Sequence, residues 1–380
     1  MKINYILTHP IQYQAPLIRF LHKSGINLKV LYRSNLSSKK YFDKEFNRNI
    51  SWGTNLLSGY NYKFLNYIGS NKVNFLFPLT TDFINKVLDD NVEIIWVHGI
   101  KNWYNICIII LAKIFNKKVF VRDEVTHFSK KRNFLNKFVN FLFYNLIDYF
   151  VDIYLAIGSQ NKKYYLDHNI NPKKIVMVPY VVDNNFFYKK NKNNSKSIKF
   201  TYLFAAKLIK KKGAILLLEA VKILQKNITF TKNSNFLITG DGYLKNSLKE
   251  YSKKNNLNNV KFIPFQNQKQ ISKIYQKADV FVIPSLIEPW GLAVNEAMAA
   301  ENAIISSTMV GSSFDLVFNG LNGFKFKSGC SKDLAKKILL IYQNKRKIKK
   351  YKTNSVKIIS KWNFDLCLKG FQKGIKKVKN

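Results

Sequence analysis

The sequence predicts an α/β protein with two doubly wound domains, each a parallel sheet between layers of helices. Short apolar runs typical of buried strands, such as 28–32 and 280–283, alternate along the chain with stretches of helical periodicity. A length of 380 residues exceeds what one hydrophobic core usually serves. The polar stretch 189–199 lacks periodicity and separates two such series. We therefore expect one domain over residues 1–185 and a second over 186–360.

The chain is strongly basic, with 63 Lys and Arg residues against 22 Asp and Glu and a formal net charge of +41. Such a charge favours anionic partners: nucleic acid, anionic lipid or phosphorylated substrates. The lysines accompany abundant Asn, Ile, Tyr and Phe, however, so composition bias of the encoding genome is an equal explanation. The sequence contains no nucleic-acid recognition motif, and we expect no specific nucleic-acid partner.

The cysteines and the N-terminus indicate a cytoplasmic protein. Cys107, Cys330 and Cys367 are odd in number and lack metal-ligand spacing, which fits a reducing compartment and no metal site. The first apolar run is interrupted by His9-Pro10 too soon for a signal peptide, and it predicts a strand instead. No 18 consecutive residues are apolar, so no membrane span is expected.

The first half of the chain follows the same alternation, with two ambiguous segments. Residues 33–80 are aromatic and basic without clear periodicity, and we expect them to be irregular. Lys130-Lys131-Arg132 precede an aromatic helix predicted over 133–148, which suits either a membrane surface or a core. We expect most of its aromatic side chains to pack in the core. The other predicted elements are strands at 28–32, 93–99, 118–121, 153–158 and 175–180 and helices at 15–22, 103–115 and 159–168.

The most informative stretch follows the predicted strand at 280–284. Glu288 lies on the loop before a helix, Glu296 lies within its early turns, and Asn302 is expected to cap its end. Ligands bind at the carboxyl ends of strands in open α/β sheets, where two carboxylates accept hydrogen bonds from hydroxyls. The free N–H groups of residues 290–293 (Trp290, Gly291, Leu292 and Ala293) predict an anion site beside them. A nucleotide sugar offers both hydroxyls and a diphosphate.

The spacing Glu-Pro-Trp-Gly-Leu-x-x-x-Glu from Glu288 to Glu296 resembles the nucleotide-sugar motif of glycosyltransferase family 4. The resemblance implies the GT-B fold, with two Rossmann-like domains facing a cleft. It also implies that a C-terminal helix, 361–380, packs back on the first domain. In that family the residue at Glu288 holds the donor sugar and the residue at Glu296 holds the ribose.

Further motifs of the second half are similar to those of the same family. Lys207 and Lys212 stand where the family has an Arg and a Lys that hold the donor diphosphate. Lys207 has a single ammonium charge where the Arg of the family offers a guanidinium that can form two parallel hydrogen bonds. Lys210 or Lys211 is expected to be solvated. Gly240 and Gly242 match a Gly-x-Gly turn, and Pro264 ends the strand that meets the base in the family.

The N-terminal motifs resemble one branch of the family. His9-Pro10-x-Gln12 follows the first strand, and Arg122-x-Glu124 follows a later one. The family's catalytic His corresponds to Asp123 or Glu124 here, so the candidates are His127, His98 and Glu124 itself. A mutually satisfied ion-pair cluster is the alternative for residues 122–124.

The resemblance implies a retaining sugar transfer from a nucleotide-sugar donor to an acceptor hydroxyl, without metal or cofactor. The acceptor is expected to be a glycan or a lipid-linked intermediate. An anionic membrane surface is a further expected partner, with the protein cytoplasmic or peripheral on the inner face. The alternatives are a nucleotide-sugar epimerase, a phosphorylase-like enzyme, or a basic nucleic-acid-binding protein.

Overall fold

The computed structural model describes residues 1–38, 40–68, 79–80, 82, 84–85, 89, 91–129, 134–188 and 199–379. It divides into two compact units. Unit 1 comprises Met1–Tyr41, Thr54–Val181 and Phe364–Asn380, and unit 2 comprises Phe42–Gly53 and Val182–Asn363. The segment Phe42–Gly53, which we expected in the first domain, therefore groups with the second.

The strands in chain order are β1 (Ile3–Leu7), β2 (Leu28–Tyr32), β3 (Tyr41–Asp43), β4 (Arg48–Ile50), β5 (Asn61–Phe64), β6 (Tyr67–Ile68), β7 (Leu79–Thr80), β8 (Ile94–His98), β9 (Lys118–Arg122), β10 (Ile153–Ala156), β11 (Ile175–Met177), β12 (Phe200–Ala205), β13 (Ser234–Thr239), β14 (Val260–Ile263), β15 (Val280–Ile283), β16 (Ala303–Ser307) and β17 (Gly323–Phe326). The α-helices are α1 (Ala15–Lys23), α2 (Trp103–Ile114), α3 (Phe134–Ile147), α4 (Ser159–Leu166), α5 (Asn184–Phe187), α6 (Ala214–Leu224), α7 (Ile228–Asn233), α8 (Lys245–Lys254), α9 (Gln268–Tyr275), α10 (Leu292–Ala299), α11 (Ser312–Leu316), α12 (Ser331–Gln343), α13 (Ile348–Ile359) and α14 (Phe364–Lys379).

Unit 1 is organised around a parallel sheet with the strand order β11-β10-β9-β8-β1-β2-β5. The order reverses between β1 and β8, so the carboxyl ends of these two strands form the topological switch point. The C-terminal helix α14 packs on β10 and β11. The centroid of its Phe371 ring lies 4.9 Å from the centroid of the Trp96 ring of β8.

Unit 2 has a second parallel sheet, with the order β14-β13-β12-β15-β16-β17. Its switch point lies between β12 and β15, and the loops after these strands are therefore neighbours. Buried aliphatic and aromatic side chains of the strands and of α6 and α12 form its core. The predicted two-domain, doubly wound α/β class is confirmed for both units.

Three local predictions are wrong. Residues 33–80 contain short strands in their described part, and β5 joins the main sheet beside β2. Asn302 does not take the left-handed cap position after α10, because Glu301 has the positive φ of 64°. The Asn302 amide is buried and donates instead to the carbonyls of Tyr275 and Ala278. Trp362, expected on the first domain, stacks on Trp290 within unit 2 at 5.8 Å.

The aromatic helix α3 turns most of its apolar residues outward. Of its aromatic residues, which we expected in the core, Phe134 and Phe138 are exposed, whereas Tyr144 is buried and Phe143 packs against the core. Its buried residues are Asn140, Tyr144 and Ile147. Phe134 is 85% exposed, and the other exposed apolar residues of the helix are Leu135, Phe138, Val139, Leu142 and Leu146. Lys130-Lys131-Arg132 and residues 189–198 lie outside the described residues.

Candidate functional site

Two loops meet at the switch point of unit 2. One follows β12 and carries Lys207 to Lys212; the other follows β15 and carries Glu288. The backbone N–H of Leu286 donates to the carbonyl of Lys211 at 2.8 Å. Gly213 lies between them with φ of +70°, and a Cβ there would overlap the carbonyl oxygen of Pro284. Glycine is therefore required for the two loops to approach this closely.

The side chains of Lys212 and Glu288 form an ion pair across these loops. Both are largely buried, with 19% and 13% of the side chain exposed. The Glu288 backbone is held as well, because its N–H donates to the carbonyl of Met309 at 3.1 Å. Its carbonyl accepts from the N–H of Gly311 at 3.0 Å. The structure thus brings these two predicted site residues together on a fixed backbone.

Lys207 forms two ion pairs with residues that the sequence did not single out. Its Nζ lies 3.2 Å from a carboxylate oxygen of Asp43 and 2.8 Å from one of Glu45. Glu45 also pairs with Lys211 at 2.8 Å. Lys210 and Lys211 are both exposed, in agreement with the prediction, although Lys211 also has an acidic partner. Lys207 therefore pairs with carboxylates of residues 43–45, and Lys212 pairs with the carboxylate of Glu288 on the loop after β15.

The helix α10 begins at Leu292, directly after the loop that carries Glu288. Its N-cap residue, Gly291, has φ of +91°, which L-residues with side chains rarely adopt. The Trp290 side chain is buried, stacked on Trp362, and its indole N–H donates to Asn295 at 3.0 Å. Trp290 can therefore offer a ligand only its backbone, together with the first amides of the helix, Leu292 and Ala293.

Glu296 is half-buried on α10 and accepts a hydrogen bond from the Tyr275 hydroxyl at 3.0 Å. Burial raises the pKa of Glu296 to about 7, although the Tyr275 hydrogen bond opposes the shift. Its carboxyl group therefore changes charge close to neutral pH. The structure places Glu288 and Glu296 beside different partners, one a cation and one a hydroxyl.

The turn Gly240-Asp241-Gly242 lies against the loop that carries Lys207. The Leu208 N–H donates to the Asp241 carbonyl at 2.8 Å, and the Leu244 N–H donates to the Leu208 carbonyl at 3.0 Å. At the end of the adjacent strand β14, the Pro264 carbonyl accepts from the Thr239 hydroxyl at 3.0 Å. The predicted glycine turn and Pro264 therefore belong to the same edge of the sheet as the lysines.

Unit 1 carries a polar network at its own switch point. The Glu124 carboxylate accepts hydrogen bonds from the hydroxyls of Tyr13 at 2.8 Å and Tyr180 at 2.5 Å. The Tyr180 hydroxyl also lies 3.3 Å from Nε2 of His98. Of the three candidates for the catalytic His position, the structure brings Glu124 and His98 together through Tyr180.

His98 is neutral in this network. Burial, the charge of Arg122 and the proximity of His9 lower its pKa to about 3. Its Nδ1 lies 3.2 Å from the Tyr5 hydroxyl, and the Gln14 amide lies 3.1 Å from its Nε2. A neutral imidazole can accept or donate a hydrogen bond but does not supply a positive charge.

Two other predicted residues have different surroundings. The Arg122 guanidinium is buried and donates to the carbonyls of Val178 and Pro179 at 3.0 and 2.8 Å, so it fixes the backbone before Tyr180. His127 is 46% exposed and its Nε2 lies 2.7 Å from Asp167. The ion-pair reading of residues 122–124 is wrong for Arg122 and Glu124, whose described partners are carbonyls and hydroxyls.

Sequence reasoning missed Tyr13, Tyr180, Asp43 and Glu45. Tyr13 and Tyr180 each lie in the loop after a strand of the sheet, and this position was the one feature of the sequence that could have indicated a role in the site. Asp43 and Glu45 fall within the stretch that the sequence indicated to be irregular, and nothing in the sequence linked them to Lys207.

Comparison with known proteins identifies similarity to glycosyltransferases. Residues 185–357 match the family model described as Glycosyl transferases group 1. An uncharacterised glycosyltransferase of Methanocaldococcus jannaschii is 28% identical over 171 residues, which cover 45% of this chain and 46% of the relative. The Escherichia coli UDP-Gal:alpha-D-GlcNAc-diphosphoundecaprenol alpha-1,3-galactosyltransferase is 32% identical over 164 residues, 41% of this chain and 42% of that protein. The matches thus span less than half of these relatives.

Similarity to solved structures extends over the whole chain. The crystal structure of Anabaena Alr3699/HepE in complex with UDP has a TM-score of 0.76 at 16% sequence identity and covers 99% of this chain and 100% of its own. A structural similarity of this extent, at such a low sequence identity, establishes the fold alone. The chain has the GT-B fold, and its residues 185–357 are similar to the Glycosyl transferases group 1 family.

Proposed function

We propose that this protein is a retaining, metal-independent glycosyltransferase of family 4, which moves a sugar from a nucleotide-sugar donor to an acceptor hydroxyl. The observation that carries the proposal is the Lys212–Glu288 ion pair at the switch point of unit 2. The pair places an ammonium group that can bind a phosphate beside a carboxylate that can accept hydrogen bonds from sugar hydroxyls. The group 1 match over residues 185–357 supports the same assignment.

The donor diphosphate binds to Lys207, Lys212 and the first amides of α10. Negative charge grows on the departing nucleotide as the glycosidic bond breaks, and fixed cations stabilise that charge. The two lysines thereby take the part that a bound metal ion plays in other transferases. Such preorganised charges lower the barrier more than they tighten substrate binding.

The two glutamates bind different hydroxyl groups of the donor. Glu288 accepts hydrogen bonds from hydroxyls of the transferred sugar, and its pairing with Lys212 keeps it next to the diphosphate. Glu296 accepts from the ribose hydroxyls, in the half-buried position beside Tyr275. The base lies near the end of β14, where Pro264 and the Gly240–Gly242 turn approach.

The network in unit 1 binds sugar hydroxyls. Glu124 is held by two tyrosine hydroxyls, so its second carboxylate oxygen is oriented for a further donor. The acceptor oxygen bonds to the anomeric carbon on the face from which the diphosphate leaves. Its proton passes to the departing phosphate oxygen, which gives retention of configuration.

The acceptor is a lipid-linked glycan, and the protein works as a peripheral protein on the cytoplasmic face of the membrane. The name of the Escherichia coli relative gives a diphosphoundecaprenol-linked sugar as its acceptor. The exposed apolar face of α3, residues 134, 135, 138, 139, 142 and 146, lies on a helix with Lys137 and no acidic residue. In a chain of net charge +41, this combination fits an anionic bilayer surface. None of the helices in the described part of the chain has the length and apolar content that crossing a bilayer requires.

A panel of UDP-, GDP- and ADP-sugars tests the proposal. We expect one nucleotide class to raise the melting temperature, because a ligand at ~100 Kd stabilises by about 2.7 kcal/mol. Product analysis with that donor, in EDTA, should show a new glycoside with retained configuration. An epimerised nucleotide sugar, a sugar 1-phosphate, or DNA retention without any nucleotide response would contradict the proposal.

A further inference from the structure

The cations assigned to the donor diphosphate are occupied by carboxylates of the same unit. The acidic segment, residues 42–53, contains β4 and most of β3 and belongs to unit 2. Its Asp43 and Glu45 both pair with Lys207, and Glu45 bridges Lys207 and Lys211 at 2.8 Å to each. Three ion pairs therefore join a short segment to the loop after β12.

Apolar and ionic contacts fix the acidic segment in this position. The Phe46 ring is buried and lies 5.0 Å from the ring of Phe265, the residue after Pro264. Arg48 pairs with Asp241 of the glycine turn at 3.0 Å. The Asp43 carboxylate also accepts the N–H groups of Glu45 and Phe46, each at 2.9 Å, which shapes the turn. The segment thus contacts the lysine loop, the glycine turn and the end of β14.

Glu45 carries its negative charge at neutral pH. Partial burial alone would raise its pKa, but hydrogen bonds from Lys207 and Lys211 outweigh burial and lower the pKa to about 2. A carboxylate held by two ammonium groups has the charge and the acceptor oxygens of a phosphate in the same place. Asp43 and Glu45 together match the two negative groups of a diphosphate.

We propose that Asp43 and Glu45 compete with the donor diphosphate for Lys207 and so determine which anions the site accepts. The inference rests on the proposed donor role of Lys207. A phosphate cannot share this cation with two carboxylates without like-charge repulsion, so a bound donor displaces the acidic segment. A monovalent or small anion gains too little to displace it, whereas a nucleoside diphosphate gains contacts to several cations at once. The basic site thereby excludes the simple anions of the cell.

The test compares anion binding to full-length variants by calorimetry. Glu45→Gln and the double variant Asp43→Asn, Glu45→Gln keep the shape of the segment and remove its charge. The control is Glu250→Gln, which removes one acidic charge at an exposed position of α8. Because these ion pairs are only partly buried and each contributes little, we expect the double variant to bind UDP, GDP or ADP ~3- to 10-fold tighter. It should also bind inorganic pyrophosphate and phosphate more readily, while the control changes less than twofold.

The outcomes separate this inference from the function on which it rests. If wild type binds a nucleoside diphosphate and the double variant binds it equally or more weakly, competition is wrong and the donor site stands. If no form binds any of the probes, the donor site is wrong and the inference falls with it. Hydrogen exchange gives a second readout: amides of residues 43–50 should exchange faster when wild type is saturated with nucleotide. Unchanged or slower exchange would overturn displacement of the segment.

Discussion

The Lys212 ammonium and the Glu288 carboxylate form an ion pair that links the loops after β12 and β15. The two strands are neighbours in the sheet although 74 residues lie between the end of one and the start of the other in sequence. In a doubly wound sheet such a pair marks the switch point, where helices leave on opposite faces and a ligand can enter. The proposed chemistry depends on this relationship, because it places a charge for phosphate beside an acceptor for sugar hydroxyls.

Glu296→Gln should make folding stability less dependent on pH. The folded-state pKa of Glu296 is raised from 4.5 to about 7, so the folded protein binds more protons than the unfolded chain between these values. The stability that protonation of Glu296 contributes is therefore fully present below pH 4.5 and is lost as the pH rises through 7. At pH 8, we expect Glu296→Gln to be more stable than wild type by on the order of 1–3 kcal/mol. At pH 4.5 the two should be equal.

Urea unfolding at pH 4.5, 6 and 8 measures this difference, and Glu250→Gln serves as the exposed control. A constant offset between Glu296→Gln and wild type at all three values would show that Glu296 ionises normally in the folded protein.

Gly213→Ala should destabilise unit 2 more than Gly320→Ala. Both glycines have positive φ, +70° and +75°, so an alanine is strained by about 1 kcal/mol at either position. At Gly213 the added Cβ also overlaps the Pro284 carbonyl, which adds roughly 1–3 kcal/mol. At Gly320, no heavy atom of the described residues lies within 4 Å of the new Cβ. Melting temperatures of the two variants give the comparison. Equal melting temperatures would mean that the two loops do not approach as described.

The apolar face of α3 should bind anionic vesicles. We expect wild type to float with vesicles containing phosphatidylglycerol, less so as salt is added, and Phe138→Ser with Leu142→Ser to reduce binding at least ~10-fold. Ile228→Ser, at an apolar position of unit 2 that is 66% exposed, is the matched control and should leave binding unchanged. Equal binding to neutral vesicles, no binding to either, or a concentration-dependent dimer that the α3 variant abolishes would argue against the lipid surface.

The sequence was sufficient for the buried strands and insufficient for contacts between distant segments. Runs such as 280–283 are recognisable because both faces of a parallel strand are buried. The strand β5, Asn-Tyr-Lys-Phe at the sheet edge, has polar residues and gave no such signal. For α3, the same apolar residues fit a core and a surface, and only the fold decides which face is covered.

The candidate site likewise contains residues that short sequence motifs predict and residues that only the fold brings together. Glu288, Glu296, Lys207 and Lys212 were found from spacing within short motifs. The hydrogen bond from Tyr13 to Glu124 joins residues 111 positions apart, and that from Tyr180 joins residues 56 apart. No local pattern specifies such pairs, because they depend on strand order around the β1–β8 switch point.

Steady-state kinetics of the lysine loop, with the donor that the nucleotide panel identifies, test the central claim most directly. Lys207→Ala and Lys212→Ala should lower kcat strongly and change KM less, since the charge that they stabilise grows in the transition state. Lys207→Arg should keep much of the activity, and Lys210→Ala, at an exposed position of the same loop, should resemble wild type. If Lys210→Ala and Lys207→Ala lose activity equally, or if neither does, the loop does not hold the donor diphosphate and the proposed mechanism is wrong.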